Sequence, residues 1–273
     1  MFFKADLHTH TTHSDGWLSV ESLLRRAILN KIDVLAITDH DTVSGFIEAC
    51  ERNKKYGLKL VPGIELSSQL EQLEVHILGY FIDVNNPELT NYTAELKQNR
   101  YNRCQKIVAN LQHEGIEISI EDVEKECKGD MFGRPHIAKA LIRKKIAKNF
   151  THAFRDFLGN NSPAYEKKFF ITPADAISLI HRAGGIASLA HPGNFSDETV
   201  EMLLSEKFDA LEAVHPSHSS PRRQQLVEIA RKHGLPYSGG SDFHGGSATD
   251  RGYIGSFYLS KPEFAAIQAL VEK

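Results

Sequence analysis

Val34-Leu35-Ala36-Ile37, followed at once by Thr38-Asp39-His40-Asp41, decides the fold. Four consecutive apolar residues are a short strand buried on both faces, as strands are in a parallel sheet covered by helices. The tetrapeptide after them carries metal-ligating side chains where the chain leaves the strand. The same arrangement recurs outward in both directions. Upstream, the apolar start at Phe2 and Phe3 predicts a strand over residues 2–7, running into Asp6-Leu7-His8-Thr9-His10 and a polar loop that reaches Asp15. Histidines one residue apart at a strand end project to the same side, which is what two imidazoles converging on one ion require. Downstream, Gly63-Ile64-Glu65, Val75-His76, Ala190-His191-Pro192 and Ser241-Asp242-Phe243-His244 each place a ligand-type residue in or just after an apolar run. A lone His-x-His is often no more than a solvated pair. Six such sites in one chain point to a multinuclear metal centre.

Between these strands the periodicity is helical. Ser19 reads as an N-cap ahead of Val20, Leu23, Leu24, Ala27 and Ile28, one buried face at helical spacing. A second helix is predicted from Val43 to Tyr56, with Cys50 on its core side and Gly57 as its stop. Leu58–Val61 and Glu74–Tyr80 read as strands. After Thr172, helix and strand alternate again: a helix to Ala183, a strand over Ile186–Ala190, a strand over Leu211–Val214, a helix over Arg222–His233, and Tyr237-Ser238-Gly239-Gly240 leading to Asp242. Strand, loop and helix in repetition predict an α/β fold with a parallel sheet, and active sites of such folds lie at the strand C-terminal ends.

Residues 88–169 differ. Lys and Glu become frequent and strand-like runs stop, so a helical insertion or cap is predicted there, with the barrel made by 1–87 and 170–273. Its helices are expected over a long stretch carrying Leu96, Tyr101, Ile107, Val108 and Leu111, then over Ile120–Cys127 and Pro135–Lys145. Phe132-Gly133-Arg134-Pro135-His136 puts Arg134 and His136 at a helix N-terminus, a natural place for an anion.

Formal charge −3 and a pI near 6.5 exclude a global basic field for nucleic acid, though not a local patch such as Lys167, Lys168, Arg222 and Arg223. Cys50, Cys104 and Cys127 are scattered and odd in number, which argues for a reducing compartment rather than a disulfide framework. No run approaches membrane-spanning length and no signal-peptide pattern opens the chain, so a cytoplasmic protein without membrane or obligate protein partner is expected. Imidazoles and carboxylates without thiolates suit Mn2+, Fe2+ or Zn2+ at a catalytic site. Several ions together lower the pKa of water and neutralise an anion under attack, and a phosphate ester needs both. No P-loop, Gly-x-Ser-x-Gly or Gly-x-Gly-x-x-Gly offers another route.

The motifs at Asp6–His10, Thr38–Asp41, Gly63–Glu65, Ala190–Gly193 and Gly240–His244 resemble those of the polymerase-and-histidinol-phosphatase (PHP) superfamily. Asp15, Gly133–His136 and Ala183-Gly184-Gly185 are most similar to its small bacterial phosphoesterases. That branch includes nucleoside 3′,5′-bisphosphate phosphatases, AMP-hydrolysing enzymes and a 5′→3′ exoribonuclease. The resemblance implies a distorted (β/α)7 TIM-like barrel holding two or three divalent metal ions, manganese first among them. It implies ligands His8, His10, Glu65 and Asp242 for the first ion, Asp15, His40 and His244 for the second, and Glu65, His76 and His191 for the third. Arg134, His136 and Asp242 would be catalytic, with Arg134 and His136 holding the phosphate and Asn194 and His215 touching substrate. Asp39 is expected to orient a ligand histidine. The implied activity is hydrolysis of a phosphate monoester of a nucleotide by metal-activated hydroxide, with a short RNA or histidinol phosphate as alternative substrates and a non-catalytic metal module as the remaining reading.

Overall fold

The computed structural model describes residues 3–129, 131–246 and 253–272. Among them, strands β1 (Ala5–Asp6), β2 (Val34–Ile37), β3 (Lys59–Leu70), β4 (Leu73–Tyr80), β5 (Ile186–Leu189), β6 (Ala210–Val214) and β7 (Tyr237–Gly239) lie side by side in chain order. The Leu7 amide donates to the Gly239 carbonyl at 3.2 Å, bringing the two outer strands together into a nearly closed barrel. Gly240 makes this approach possible, since a Cβ there would stand 2.3 Å from the His8 nitrogen.

Helices α1 (Val20–Leu29), α2 (Ser44–Arg52), α7 (Pro173–Arg182), α8 (Asp197–Leu204) and α9 (Ser220–Lys232) surround the barrel. The Ser19 hydroxyl caps α1 by accepting from the Ser22 amide, and Val20, Leu23, Leu24 and Ala27 are its buried face. Helix α2 stops at Arg52, short of the predicted Tyr56, because the Asn53 side chain closes a local loop with both backbone groups of Leu58. Cys50 is exposed, not in the core as expected. Residue 2 of the predicted first strand lies outside the described residues, and regular pairing is confined to Ala5–Asp6. Leu259 bridges Ala5, and α10 (Lys261–Gln268) adds Phe264 and Ile267 to the core beneath β1 and β2.

One strand runs against the predicted parallel order. β3 folds back through Glu71-Gln72 into β4, pairing Leu70 with Leu73 and Glu65 with Leu78, and β4 is also antiparallel to β5. Glu71 adopts φ +53 to make the turn. The reversal explains where His76 sits. Most other ligand-type residues follow strand C-termini, and Glu65 lies in β3 just past its pairing with β2, whereas His76 lies in the first half of β4, which is at the same end of the barrel.

The helical segment consists of α3 (Pro87–His113), which begins one residue before the predicted boundary, α4 (Ile120–Glu124), α5 (Arg134–Arg143) and α6 (Phe150–Ala153), the last widening into one broad turn over Phe154–Leu158. Cys104, Ile107, Leu111, Val123, Ile137 and Leu141 give this segment an apolar cluster of its own. Arg100 on α3 anchors it to the barrel by pairing with Asp41, whose oxygens also accept from the Ser67 amide and hydroxyl.

Candidate metal centre

The nine ligand-type residues converge. His8 Nε2 is 3.1 Å from Glu65 Oε2 and 3.2 Å from Asp242 Oδ1, and His10 Nε2 is 3.2 and 3.1 Å from the same two oxygens. His244 Nε2 lies 3.3 Å from Asp15 Oδ1, and His40 Nε2 lies 3.9 Å from Asp15 Oδ2. On the other side of Glu65, His76 Nδ1 and His191 Nε2 each stand 2.9 Å from Oε1. Glu65 therefore faces two groups of imidazoles with its two oxygens, as a bridging carboxylate does. His191 is the only ligand outside the tightest groups of converging donor atoms among the described residues, and it joins through Glu65.

The backbone is unusual at these points. Asp41 (φ +58), His191 (φ +29) and Asp242 (φ +48) adopt left-handed conformations, which cost energy in non-glycine residues and are held only where the surroundings dictate them. The loop to Asp15 is shaped from behind by Asp39, which accepts from the Thr11 amide and hydroxyl at 2.7 Å each and from the Ser14 hydroxyl at 2.6 Å. Asp39 thus braces this loop, whereas orientation of a ligand histidine was expected of it.

That orienting role falls to Glu212, which sequence reasoning missed. It is buried in β6, with Oε1 3.0 Å from His8 Nδ1 and Oε2 accepting from the His191 amide at 2.7 Å. The one available signal was an acid inside the apolar run Leu211–Val214. Asp6 plays a similar part on the opposite flank, accepting from the Ser241 and His8 amides, and burial pushes its carboxyl up to about 6.

The electrostatics call for positive charge. Burial works against a charged His8, yet Glu212, Asp242 and Glu65 outweigh it and hold the imidazole well above its ordinary pKa. Burial likewise opposes His76 and His244, and Glu65 and Asp15 respectively bring them up to about 9 and about 10. Burial raises the carboxyls of Asp15, Glu65 and Asp242, but the surrounding imidazoles hold all three well below the carboxylate range. His8 Nε2 and His10 Nε2 are 3.1 Å apart, too close for both to carry protons toward each other. Divalent cations fit this donor set: ligands about 2.1 Å from a tetrahedral ion stand about 3.4 Å apart. Among the described residues the donor atoms converge in groups that could hold an ion: His8, His10, Glu65 and Asp242; His10, Asp15, His40 and His244; and His40, Glu65 and His76.

The centre forms the floor of a cleft of about 440 Å³. Asn194 and His215 line it, and His215 Nε2 is 3.2 Å from Asp242 Oδ2. The far wall comes from the helical segment, through Pro135, Lys139, Phe150 and Phe154, with Trp17 at the rim. Arg134 and His136 stand behind that wall. The Arg134 guanidinium donates to the Leu158 carbonyl at 3.0 Å and the Asn160 side chain at 2.8 Å, over the ring of Phe154. His136 is buried, accepts from the Gly133 amide and bonds the Ser14 backbone; burial pushes it down to about 4. His13 pairs with Glu48 away from the centre.

Comparison with known proteins agrees with this geometry. The chain matches the PHP domain family over residues 6–170. It is 36% identical to the 5′-3′ exoribonuclease Rnm of Escherichia coli K12, covering 88% of this chain and 84% of that protein. It is 32% identical to the 3′,5′-nucleoside bisphosphate phosphatase of Chromobacterium violaceum, covering 88% and 86%. A solved protein of Bifidobacterium adolescentis, assigned as a metal-dependent phosphoesterase, superposes with a TM-score of 0.89 at 29% identity over 98% of this chain and 96% of that one. Seven strands, a bowl of histidines and acids at one end, and these relatives lead to one conclusion: the chain belongs to the PHP domain family and is a metal-dependent phosphoesterase.

Proposed function

We propose that the substrate is a nucleotide and that the bond broken is a phosphate monoester, either the 3′-phosphate of a nucleoside 3′,5′-bisphosphate or an AMP-like ester. The observation that carries this is the cleft: its floor is the ligand bowl, and its volume of about 440 Å³ falls in the range of small-molecule sites. Bound ions, with manganese our choice among Mn2+, Fe2+ and Zn2+, supply water of lowered pKa and positive charge for the phosphoryl oxygens. The chain's own residues position the ester. Asn194 and His215 line the cleft beside Asp242 and are our substrate contacts. Arg134 reaches the phosphate in this reading by leaving Asn160, while His136 holds the wall to the Ser14 loop. The relative from Chromobacterium violaceum supports the bisphosphate. The scattered cysteines support a cytoplasmic setting.

Exoribonuclease activity on short RNA is the second reading. It draws on the Escherichia coli relative and on an open groove along α3 that carries Arg103, Lys106 and Lys167, a path for a phosphodiester backbone. A histidinol ester lacks support, because Asp15 and Asp242 are the acids of the cleft lining and both belong to the ligand bowl. Phosphate release from adenosine 3′,5′-bisphosphate, AMP, histidinol phosphate and a 5′-phosphorylated short RNA, with manganese, tests the assignment. Preference for the bisphosphate or AMP supports it, and turnover confined to RNA or histidinol phosphate overturns it.

A further inference from the structure

The cations around the centre are not equivalent. Arg100 is engaged by Asp41, Lys168 by Glu74, and Arg134 by Leu158 and Asn160. Lys139 lines the cleft itself, and among the described residues no carboxylate pairs with it. Its ammonium instead rests 4.4 Å above the Trp17 ring.

Trp17 is the single tryptophan of the chain, and it is 47% exposed. It follows the ligand Asp15 by two residues, and its amide donates to the carbonyl of His244, another ligand, at 2.6 Å. Its backbone is therefore fixed to the metal centre while its ring projects into the cleft. Phe150 approaches the ring at 6.0 Å between centroids with a 54° tilt, so the two rings pack against each other and line the cleft with one continuous aromatic surface. A flat π-system beside an ammonium that makes no salt bridge among the described residues matches the chemistry of a nucleobase with a phosphate nearby, since stacking on aromatic side chains holds any base and an ammonium holds the anion.

We infer that Trp17, Phe150 and Lys139 form the subsite for the leaving nucleotide: the base stacks on the exposed aromatic surface that Trp17 and Phe150 make, and Lys139 meets a second phosphate on the same molecule. The inference rests on the monoesterase reading above and specifies its leaving group. In the structure the half-buried Lys139 ammonium covers part of the Trp17 ring, and turning toward an arriving phosphate exchanges this cation–π contact for an ion pair.

Because the chain has one tryptophan, its fluorescence reports on this subsite directly. The full chain, with and without manganese, is titrated with adenosine 3′,5′-bisphosphate, AMP and ribose 5-phosphate. We expect quenching by the two base-bearing ligands and none by ribose 5-phosphate. Phe150→Leu weakens both nucleotides by about tenfold through lost stacking. Lys139→Met weakens the bisphosphate about fivefold more than AMP through the lost charge. Trp17→Leu lowers the ratio of kcat/KM for the bisphosphate over ribose 5-phosphate by about tenfold. Equal quenching by ribose 5-phosphate, or nucleotide affinities unmoved by both Phe150→Leu and Lys139→Met, overturns the subsite. Phosphate release from no nucleotide at all defeats the monoesterase reading instead, whatever the fluorescence shows.

Discussion

Glu212 Oε1 sits 3.0 Å behind His8 Nδ1, on the far side of the ring from the nitrogen that faces Glu65 and Asp242. A carboxylate only accepts, so it fixes the proton on Nδ1 and leaves Nε2 as the ligand atom. Its second oxygen accepts from the His191 amide. A glutamine cannot serve both neighbours, because its amide nitrogen would face a donor. Glu212→Gln should lower metal affinity or activity by about 10–100-fold. Isothermal titration with manganese checks this, and wild-type affinity in the variant would remove Glu212 from the centre.

His8→Ala and Asp242→Ala should each abolish phosphate release while the far-UV circular dichroism spectrum stays that of the wild type. Both residues contribute to the same tight group of donors, so neither can be replaced by its neighbours. Substantial turnover in either variant, after metal stripping and reloading, would falsify the assigned floor.

Chelation should inactivate the protein and make it easier to melt. An ion that binds only the folded chain stabilises it by about 2.7 kcal/mol at a hundred times Kd. For a domain of this size that corresponds to roughly 5–10 °C in Tm. Glu65→Gln should blunt the response, since this residue faces both groups of imidazoles. A melting curve indifferent to manganese would contradict the picture.

The Arg100–Asp41 pair is the buried anchor between the helical segment and the barrel. Arg100→Met leaves Asp41 as an uncompensated buried charge and should cost about 3–5 kcal/mol. Adding Asp41→Asn should recover part of that loss, because asparagine tolerates the left-handed backbone there. Denaturant melts of the two single variants and the double variant give the coupling, and purely additive effects would mean that the contact does no anchoring.

Arg134→Ala should raise KM and lower kcat, together about tenfold in kcat/KM, if the guanidinium swings from Asn160 to the phosphate. An unchanged KM would confine Arg134 to holding the turn at Leu158.

Much of this site was legible in the chain because its information is local. His8, His10, His40 and His191 stand at the ends of apolar runs, Asp242 and His244 follow a short strand through Gly239-Gly240, and a strand end in a barrel points its next residues at the common face. The direction of β4 was not legible. A strand buried on both faces reads alike forwards and backwards, and Glu71-Gln72 lacks the glycine or asparagine that announces a tight hairpin. Glu212 was hidden for a different reason: an acid within an apolar run has meaning only once His8 and His191, distant in sequence, are seen against it. Trp17 and Lys139 met the same limit, because one belongs to the barrel loop and the other to α5, and they become neighbours only in the folded chain.

The β3–β4 hairpin has a consequence for how the protein assembles. Its pairing spans only Gly63 to Tyr80, so it closes a short loop, and such contacts form sooner than those between chain ends. Glu65 and His76, on facing strands of that hairpin, are joined by a short stretch of chain, whereas the segments bearing His8 and Asp242 meet only when the first and last strands do. Ion capture can thus begin on a half-built template, before the two distant edges of the barrel join.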